Sequence, residues 1–498
     1  MNVAMLLEMA AETFGEREAI RCGELGLDYA GLARAARAAA RDIVASQCRH
    51  AALLDETSPA LPIALFGAAW AGVPFVPLSY RLTDPEVDAL LARVEPCRLV
   101  TEPARAPRLD ASPARSVAAR DAWLADLAAH DPEPSAWPDD ADAIAILLFT
   151  SGTTGAPKAA VLRHRHLVSY VLGSVEFGGA GEDEATLVAV PPYHVAGMAA
   201  ILSSVYAGRR IVQLPRFDAR EWIALAARER ITNAFVVPTM LTRIVDALAA
   251  EPTALPALRA LAYGGGKMPL PVIERAMELL PHVAFTNAYG LTETSSTVAL
   301  LGPEDHRAAR ESDDPAIRRR LASVGRALPG VEIEVRDAEG QPVAAGERGE
   351  VHVRGEQVAG EYLGRGSQLA GDGWFATRDQ GFLDVDGFLF LEGRLDDVIV
   401  RGGENLSPGE IEDVLREHPA VADCAVVGVP DEQWGEAVAA VIVPRGSPPP
   451  ADELREWVRA RLRSSRAPEH VAYRAELPYN ETGKLLRRQV RADLAGST

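Results

Sequence analysis

The chain has 498 residues, 48% of them hydrophobic, and 51 basic against 70 acidic side chains leave a formal net charge of −19. That length exceeds what one hydrophobic core serves, so at least two domains are expected in an otherwise ordinary globular composition. The negative charge disfavours nonspecific binding to nucleic acid or to an anionic bilayer. The first residues, MNVAMLLEMAAETFGER, are amphipathic, carry early acids and lack a basic stretch, which predicts a helix and not a secretory leader. Cys22, Cys48, Cys97 and Cys424 are scattered, form neither a CxxC pair nor a metal cluster, and predict reduced thiols in a cytoplasmic protein. Thr57 to Tyr80 is uncharged, but Pro62, Gly67, Gly72, Pro74 and Pro77 interrupt it. It reads as a buried helix, a turn at Gly72 and a short strand, with no transmembrane segment.

The apolar run from Ala143 to Thr150 has the character of a strand buried on both faces. It leads into TSGTTGAPK, Thr150 to Lys158, where Gly152 and Gly155 let the backbone turn tightly and bring its N–H groups close to an anion. The spacing is not G-x-x-x-x-G-K-[ST], so the P-loop NTPases are excluded; a flexible turn and a phosphate-holding loop both remain. From Ala51 to about Leu300, strand-like runs alternate with helical patterns, as in NAFVV before PTMLTRIVDAL, and argue for a layered α/β architecture. Gly330 to Val353 changes to alternating strands with Gly-containing turns, implying an antiparallel sheet or small barrel. Ser407 and Glu410 have capping-box spacing around Pro408, so a helix begins there, and VADCAVVGVP and AVAAVIVP supply strands of a small α+β unit.

In chain order, TSGTTGAPK, YHVAG at Tyr193, AYGLTETS at Ala288, GWFATRDQGFLDVDGFLFLEGRLDD at Gly373 and NETGKLLR at Asn480 form a series that resembles the adenylate-forming superfamily, which includes acyl-CoA synthetases, luciferases and the adenylation domains of nonribosomal peptide synthetases. The resemblance runs from about Tyr29 to Leu494 and is closest to acyl-CoA synthetases. It implies an α/β fold with a large layered N-terminal domain, residues 1–395, that includes a small antiparallel β subdomain, and a small mobile α+β domain, residues 396–498. It implies an AMP-forming acid–thiol ligase that uses ATP, Mg²⁺ and CoA. The ATP/AMP site implied is Thr150, Ser151, Gly152, Thr153, Thr154, Gly155, Gly264, Gly265, Asn287, Ala288, Tyr289, Gly290, Asp379 and Arg394. Lys158, Thr292, Glu293 and Lys484 would be catalytic: Lys158 steadies the outer phosphates, and Tyr289, Thr292 and Glu293 suit adenine, the α-phosphate and Mg²⁺. Lys484 would bridge carboxylate and α-phosphate as charge redistributes. By themselves the same residues read as a helix cap, a surface ion pair and a solvated lysine. Two departures from the family pattern are Arg378, where glycine usually precedes the aspartate, and Ala159, where glycine often follows the loop lysine.

The resemblance also implies an acyl pocket at His194, Val195, Gly197, Met198 and Gly266, and a hinge at Asp396 about which the C-terminal domain turns so that Arg401, Gly402, Gly403 and Glu404 face the site for thiol attack. No acidic residue occurs from Val195 to Tyr206 and no basic one from Val195 to Gly208, which disfavours amino acids and dicarboxylates. A hydrophobic fatty, aromatic, alicyclic or terpenoid monocarboxylic acid is the expected substrate. An acyl carrier protein is an alternative acceptor, with Arg459, Arg461, Arg463 and Arg466 as candidates for a groove that would favour CoA; a noncatalytic nucleotide-binding protein is the remaining reading.

Overall fold

The computed structural model of the chain describes residues 1–110, 114–130, 136–150, 157–402, 404–431, 433–480 and 485–495. Two large sheets enclose a layer of helices. In the nine-stranded sheet the central strands Ala284–Leu291, Ala260–Gly264, Asn233–Val236, Ala185–Val188, Arg210–Gln213 and Glu18–Cys22 are parallel neighbours, with antiparallel strands at both edges. The eight-stranded sheet places Lys158–Arg163, Ile144–Thr150, Phe75–Pro77, His50–Leu54 and Cys97–Thr101 side by side. Ile20, Val188 and Ile211 from the first sheet and Ala51, Phe75 and Ile146 from the second share one core with the helices Ala4–Phe14, Tyr29–Ala45, Ala60–Ala71 and Val195–Ala207. Burial of apolar surface on both sides of that layer is the main force uniting the sheets.

The uncharged stretch shows how local sequence sets the layer. Ala60–Ala71 is buried all round, Gly72 ends it at φ 69°, and Phe75–Pro77 follows as a strand. A helix apolar on every face suits a position between two sheets as well as a bilayer; the breakers decide for the first. Among the described residues no helix is long and apolar enough to cross a membrane.

Val331–Arg336, Gly349–Gly355, Phe375–Leu383 and Leu389–Arg394 form a four-stranded antiparallel sheet. After a single 3₁₀ turn at Leu395–Asp397 comes a separate sheet built on the hairpin Val421–Asp431 and Gly435–Pro444. One face of that hairpin packs against Ile411, Leu415, Leu454 and Val458, the other against Leu477 and Val490. Pro408–Arg416 is a helix as the sequence predicts, but the capping box does not form. The Ser407 hydroxyl instead donates to the Glu392 carbonyl at 2.8 Å, and Glu410 pairs with Arg466 at 2.9 Å, because tertiary partners outcompete the local cap.

Candidate active site

A cavity of about 1530 Å³ opens where both large sheets, the antiparallel sheet and the last segment of the chain meet. At one end Thr150, Lys158, Thr292, Glu293 and Tyr362 share its wall. The Lys158 ammonium lies 5.2 Å from the Tyr362 ring centroid, and the Tyr362 hydroxyl donates to Glu293 Oε1 at 2.5 Å. Burial, then the charge and hydrogen bond of Glu293, push the Tyr362 phenol above its ordinary range, so it stays a donor. The Glu293 carbonyl accepts N–H bonds from Ala359 and Gly360 at 2.9 Å, which fixes the 3₁₀ turn Thr292–Thr294. Gly290 is required beneath that turn: a Cβ there would lie 1.8 Å from the Ser296 carbonyl oxygen. Ala159 causes no disturbance; it is buried in the strand and its carbonyl accepts the Leu363 N–H at 2.9 Å. Ser151, Gly152, Thr153, Thr154 and Gly155 lie outside the described residues, as do Gly403 and Lys484.

Among the described residues no group of three His, Cys, Asp or Glu side chains is placed to hold a metal. Glu293 alone presents a carboxylate beside Thr292 and Lys158, and a single carboxylate fits Mg²⁺ only when phosphate oxygens complete the shell.

Along the next wall, Arg394 Nε sits 2.9 Å from Asp379 Oδ1 and its Nη1 donates to the Thr377 carbonyl at 2.9 Å. Thr377, Arg378 and Arg394 reach the cavity, and Asp379 lies behind them, nearly buried. Tyr289 does not offer a face to the cavity. Burial residues alternate along Ala284–Leu291, so Ala288 and Gly290 point into the cavity while Asn287 and Tyr289 point to the other face of the sheet. The Tyr289 hydroxyl donates to Asp379 Oδ2 at 2.6 Å and the Asn287 amide donates to the Ser323 carbonyl at 3.0 Å. The strand's period of two turns the Tyr289 ring, expected to suit adenine, and the Asn287 amide away from the cavity wall. Arg378 takes the left-handed backbone, φ 63°, that glycine usually supplies there.

The other end of the cavity runs between Val195–Ala207 and the nine-stranded sheet. His194, Val195, Ala196, Ala199, Ala200 and Ser203 line it. Gly197 and Met198 do not: Met198 is fully buried in the inter-sheet core, on the helix face opposite Ala196 and Ala200, and a Cβ on Gly197 would stand 3.1 Å from the Pro191 carbonyl oxygen. Gly266 is exposed outside the cavity, whereas Gly265 lines it at φ 80°. Gly264 is the close approach in this turn, since a Cβ would lie 2.1 Å from the Ala288 carbonyl oxygen. The turn ends in Lys267, whose ammonium lies 2.5 Å from Asp413 in the helix Pro408–Arg416. Burial lowers the His194 imidazole to about 4, so the ring is neutral; its Nε2 has no hydrogen-bond partner among the described residues. A neutral ring of that kind serves as a wall and not as a base at neutral pH.

Tyr479 and Asn480 bring the C-terminal sheet to the same cavity, and Asp396 also lines it. The segment is held on both sides: the Tyr479 hydroxyl donates to Asp423 Oδ2 at 2.5 Å, and Arg487 Nη2 donates to buried Glu412 at 2.8 Å. Arg401 faces a different recess, with Arg455 and Glu469; Glu404 pairs with Arg466 at 2.7 Å, and Gly402, at φ 57°, lies against Trp434. This arrangement therefore brings the Lys484 flank, and not Arg401 to Glu404, to the cavity. Among the lining residues that the sequence reading does not mark are Tyr362 and Arg209. Tyr362 had a usable signal in its place between the strand residue Glu361 and Gly364, and Arg209 stands one position beyond the stretch searched for basic residues.

The family described as AMP-binding enzyme matches residues 7–363, and its C-terminal domain matches residues 410–484. The chain is 35% identical to a feruloyl-CoA synthase from Amycolatopsis sp, over 95% of each chain. It is 34% identical to the fatty acid–[acyl-carrier-protein] ligase ScoC from Streptomyces coeruleorubidus, over 86% of this chain and 83% of that protein. Its fold is similar to that of the o-succinylbenzoate CoA synthetase from Bacillus subtilis in complex with an acyl-adenylate intermediate, with a TM-score of 0.85, 29% identity and coverage of 98% and 97%.

Proposed function

The chain belongs to the AMP-binding enzyme family, and from that premise we propose that it is an acyl-CoA synthetase acting on a hydrophobic monocarboxylic acid, whether fatty, aromatic, alicyclic or terpenoid. The observation that carries this reading is one cavity joining a cationic and carboxylate end, at Lys158, Thr292 and Glu293, to an uncharged slot along Ala196, Ala200 and Ser203. A carboxylate oxygen attacks the α-phosphorus of ATP, pyrophosphate leaves, and the acyl-AMP anhydride forms. Its acyl carbon is then attacked by the CoA thiol, with AMP leaving and a thioester as product.

The residue roles we propose rest on the family pattern, supported for the described residues by their position at the cavity. Ser151, Thr153, Thr154 and Lys158 hold the outer phosphates so that pyrophosphate departs in line with the incoming carboxylate. Glu293, together with phosphate oxygens, would hold Mg²⁺, which would supply screening of the repulsion between the two anions. Arg394 meets the ribose hydroxyls with Asp379 behind it, where Arg394 and the Tyr289 hydroxyl hold the Asp379 carboxylate in place. Lys484 serves the first half-reaction only. We place the domain boundary between Leu395 and Asp396 and assign residues 396–498 to a body that turns about Asp396, bringing Arg401, Gly402, Gly403 and Glu404 to the site for the second.

A carrier-protein phosphopantetheine is the second reading of the acceptor. It is supported by the likeness to the carrier-protein ligase and by the state of the arginines suited to a CoA phosphate: Arg459 pairs with Glu456, Arg461 covers Trp457, and Arg466 pairs with Glu404 and Glu410. We assign the enzyme to the cytoplasm, in keeping with four unpaired cysteines. The test is ATP- and Mg²⁺-dependent thioester formation across fatty, aromatic and polycyclic acids, with CoA and carrier protein compared and AMP release followed. Acyl-CoA supports the main reading; acyl-AMP that accumulates with CoA and discharges on carrier protein supports the second; no pyrophosphate exchange with any acid overturns both.

A further inference from the structure

The uncharged slot does not end behind the activation site. On its helix side Ala196, Ala199, Ala200 and Ser203 form one face at helical spacing, none larger than serine. On its sheet side the burial pattern alternates in register across neighbouring strands: Asn233 and Phe235, then Ala260 and Ala262, then Thr286 and Ala288 are half-buried, while the residues between them are buried. Half-burial on that single face, in the interior of the molecule, marks where the cavity runs. It extends along the whole strand from Gly264 back to Ala260, on the order of 13 Å at the rise of an extended strand.

The chemistry changes at the far end. Arg209 lines the cavity there, its Nε and Nη2 both directed at Glu184 Oε2, at 3.1 and 3.0 Å; Nη1 takes no part in that pairing. The Asn233 Oδ1 faces the Thr232 hydroxyl at 2.6 Å, which shares its proton between that oxygen and the Ala185 carbonyl at 3.0 Å, and this turns the Asn233 NH₂ group the other way. The cavity then reaches Gly173 and Ser174, which are exposed. Donors therefore dominate this end, and Glu184 already balances the arginine charge. That balance selects a neutral acceptor oxygen over a second carboxylate, which would be set against Glu184.

Resting on the proposed function, the geometry points to a narrower substrate class: an elongated acid, spanning the slot, whose distal end carries a neutral oxygen such as a hydroxyl, carbonyl or ether that accepts from Asn233 and Arg209. The slot selects length and its far end selects the oxygen. Short acids leave these donors without a partner, a loss of about tenfold for each hydrogen bond forgone.

The test compares kcat/KM for pyrophosphate exchange with ω-hydroxydecanoate, decanoate and butyrate. The native enzyme is expected to prefer them in that order, with about tenfold between the first two. Asn233→Leu, which keeps volume and removes the donor, should collapse the hydroxydecanoate-to-decanoate ratio towards one. Ser203→Phe should lower the ratio of either long acid to butyrate by at least about tenfold. Exchange that is best with butyrate, or ratios unmoved by either substitution in a protein that still exchanges pyrophosphate, overturns this substrate class and leaves the ligase reading standing. Absence of exchange with every acid overturns both.

Discussion

Arg378 Nη2 lies 2.6 Å from Asp396 Oδ1, so the residue that departs from the family's glycine is tied to the position proposed as the hinge. Arg378 holds this contact from a left-handed backbone, φ 63°, that costs a side-chain-bearing residue about 1 kcal/mol. The pair is half exposed on both sides, which limits its worth to about 0.2–1 kcal/mol. Arg378→Gly should relieve the strain and release Asp396. Single-turnover measurements are expected to show the ratio of thioester formation to adenylation rising about two- to fivefold at low salt, and less at high salt. An unchanged ratio at both would refute the tether. Asp396→Pro should act in the opposite sense, impairing thioester formation more than adenylation.

Lys484→Ala should abolish adenylation while leaving CoA transfer from supplied acyl-AMP less affected. The two half-reactions are read separately, by pyrophosphate exchange and by thioester formation. Equal loss in both would count against the role assigned to this lysine.

Tyr362→Phe removes the hydroxyl that fixes Glu293 and keeps the ring against Lys158. The Mg²⁺ concentration for half-maximal pyrophosphate exchange should rise about ten- to hundredfold, the usual cost of losing a partner that orients a metal ligand. Tyr362→Ala should add a rise in KM for ATP, because Lys158 then loses its aromatic neighbour as well.

Three buried histidines make stability depend on acid. Burial lowers His164, His166 and His194 to about 4 from an ordinary 6.5, helped by the N-terminal ammonium at His164 and by Arg165 and Arg163 at His166. Below pH 6.5 the unfolded chain takes up protons that the folded chain refuses until about pH 4, so stability is complete above 6.5 and is lost as pH falls towards 4. The thermal midpoint should decline across that window. His194→Leu should flatten the decline, since the ring nitrogen it removes has no hydrogen bond to lose; a slope equal to that of the native protein would show that His194 is charged when folded.

Arg487→Met removes the strongest partner of Glu412, which is 2% exposed, and leaves it the Val426 N–H at 2.8 Å and Arg416 at 3.7 Å. Burial pushes that carboxyl up, but the charge and hydrogen bonds of Arg487 prevail and hold it below the usual range. Removing one partner of such a pair costs about 3–5 kcal/mol, whereas Glu412→Leu with Arg487→Met should recover most of it. The readout is the unfolding midpoint of the C-terminal unit together with the adenylation rate, because the pair anchors one side of the segment bearing Lys484.

Much of this was legible in the chain because it rests on order and period. The buried helix before Gly72, the α/β rhythm through Leu300 and the antiparallel change after Gly330 each follow from residue spacing. What escaped depends on which way a side chain points or what it meets across the fold. Tyr289 and Ala288 are adjacent in AYGLTETS yet occupy opposite sheet faces; Met198 and Ala199 diverge in the same way on a helix. Ser407 and Glu410 have the spacing of a cap and spend their hydrogen bonds on Glu392 and Arg466, partners no local window contains. Arg209 was missed by a single residue, since a helix's end in sequence is not the end of the wall it forms.

The cavity's two extremities belong to different parts of the molecule: Tyr479 and Asn480 close one side, and Gly173 and Ser174 border the other at the surface. Departure of the C-terminal sheet would uncover only the first. Under the proposed turning of that sheet, the acid end at Gly173 and Ser174 would stay bordered by the same residues throughout the cycle while the nucleotide end opened and closed.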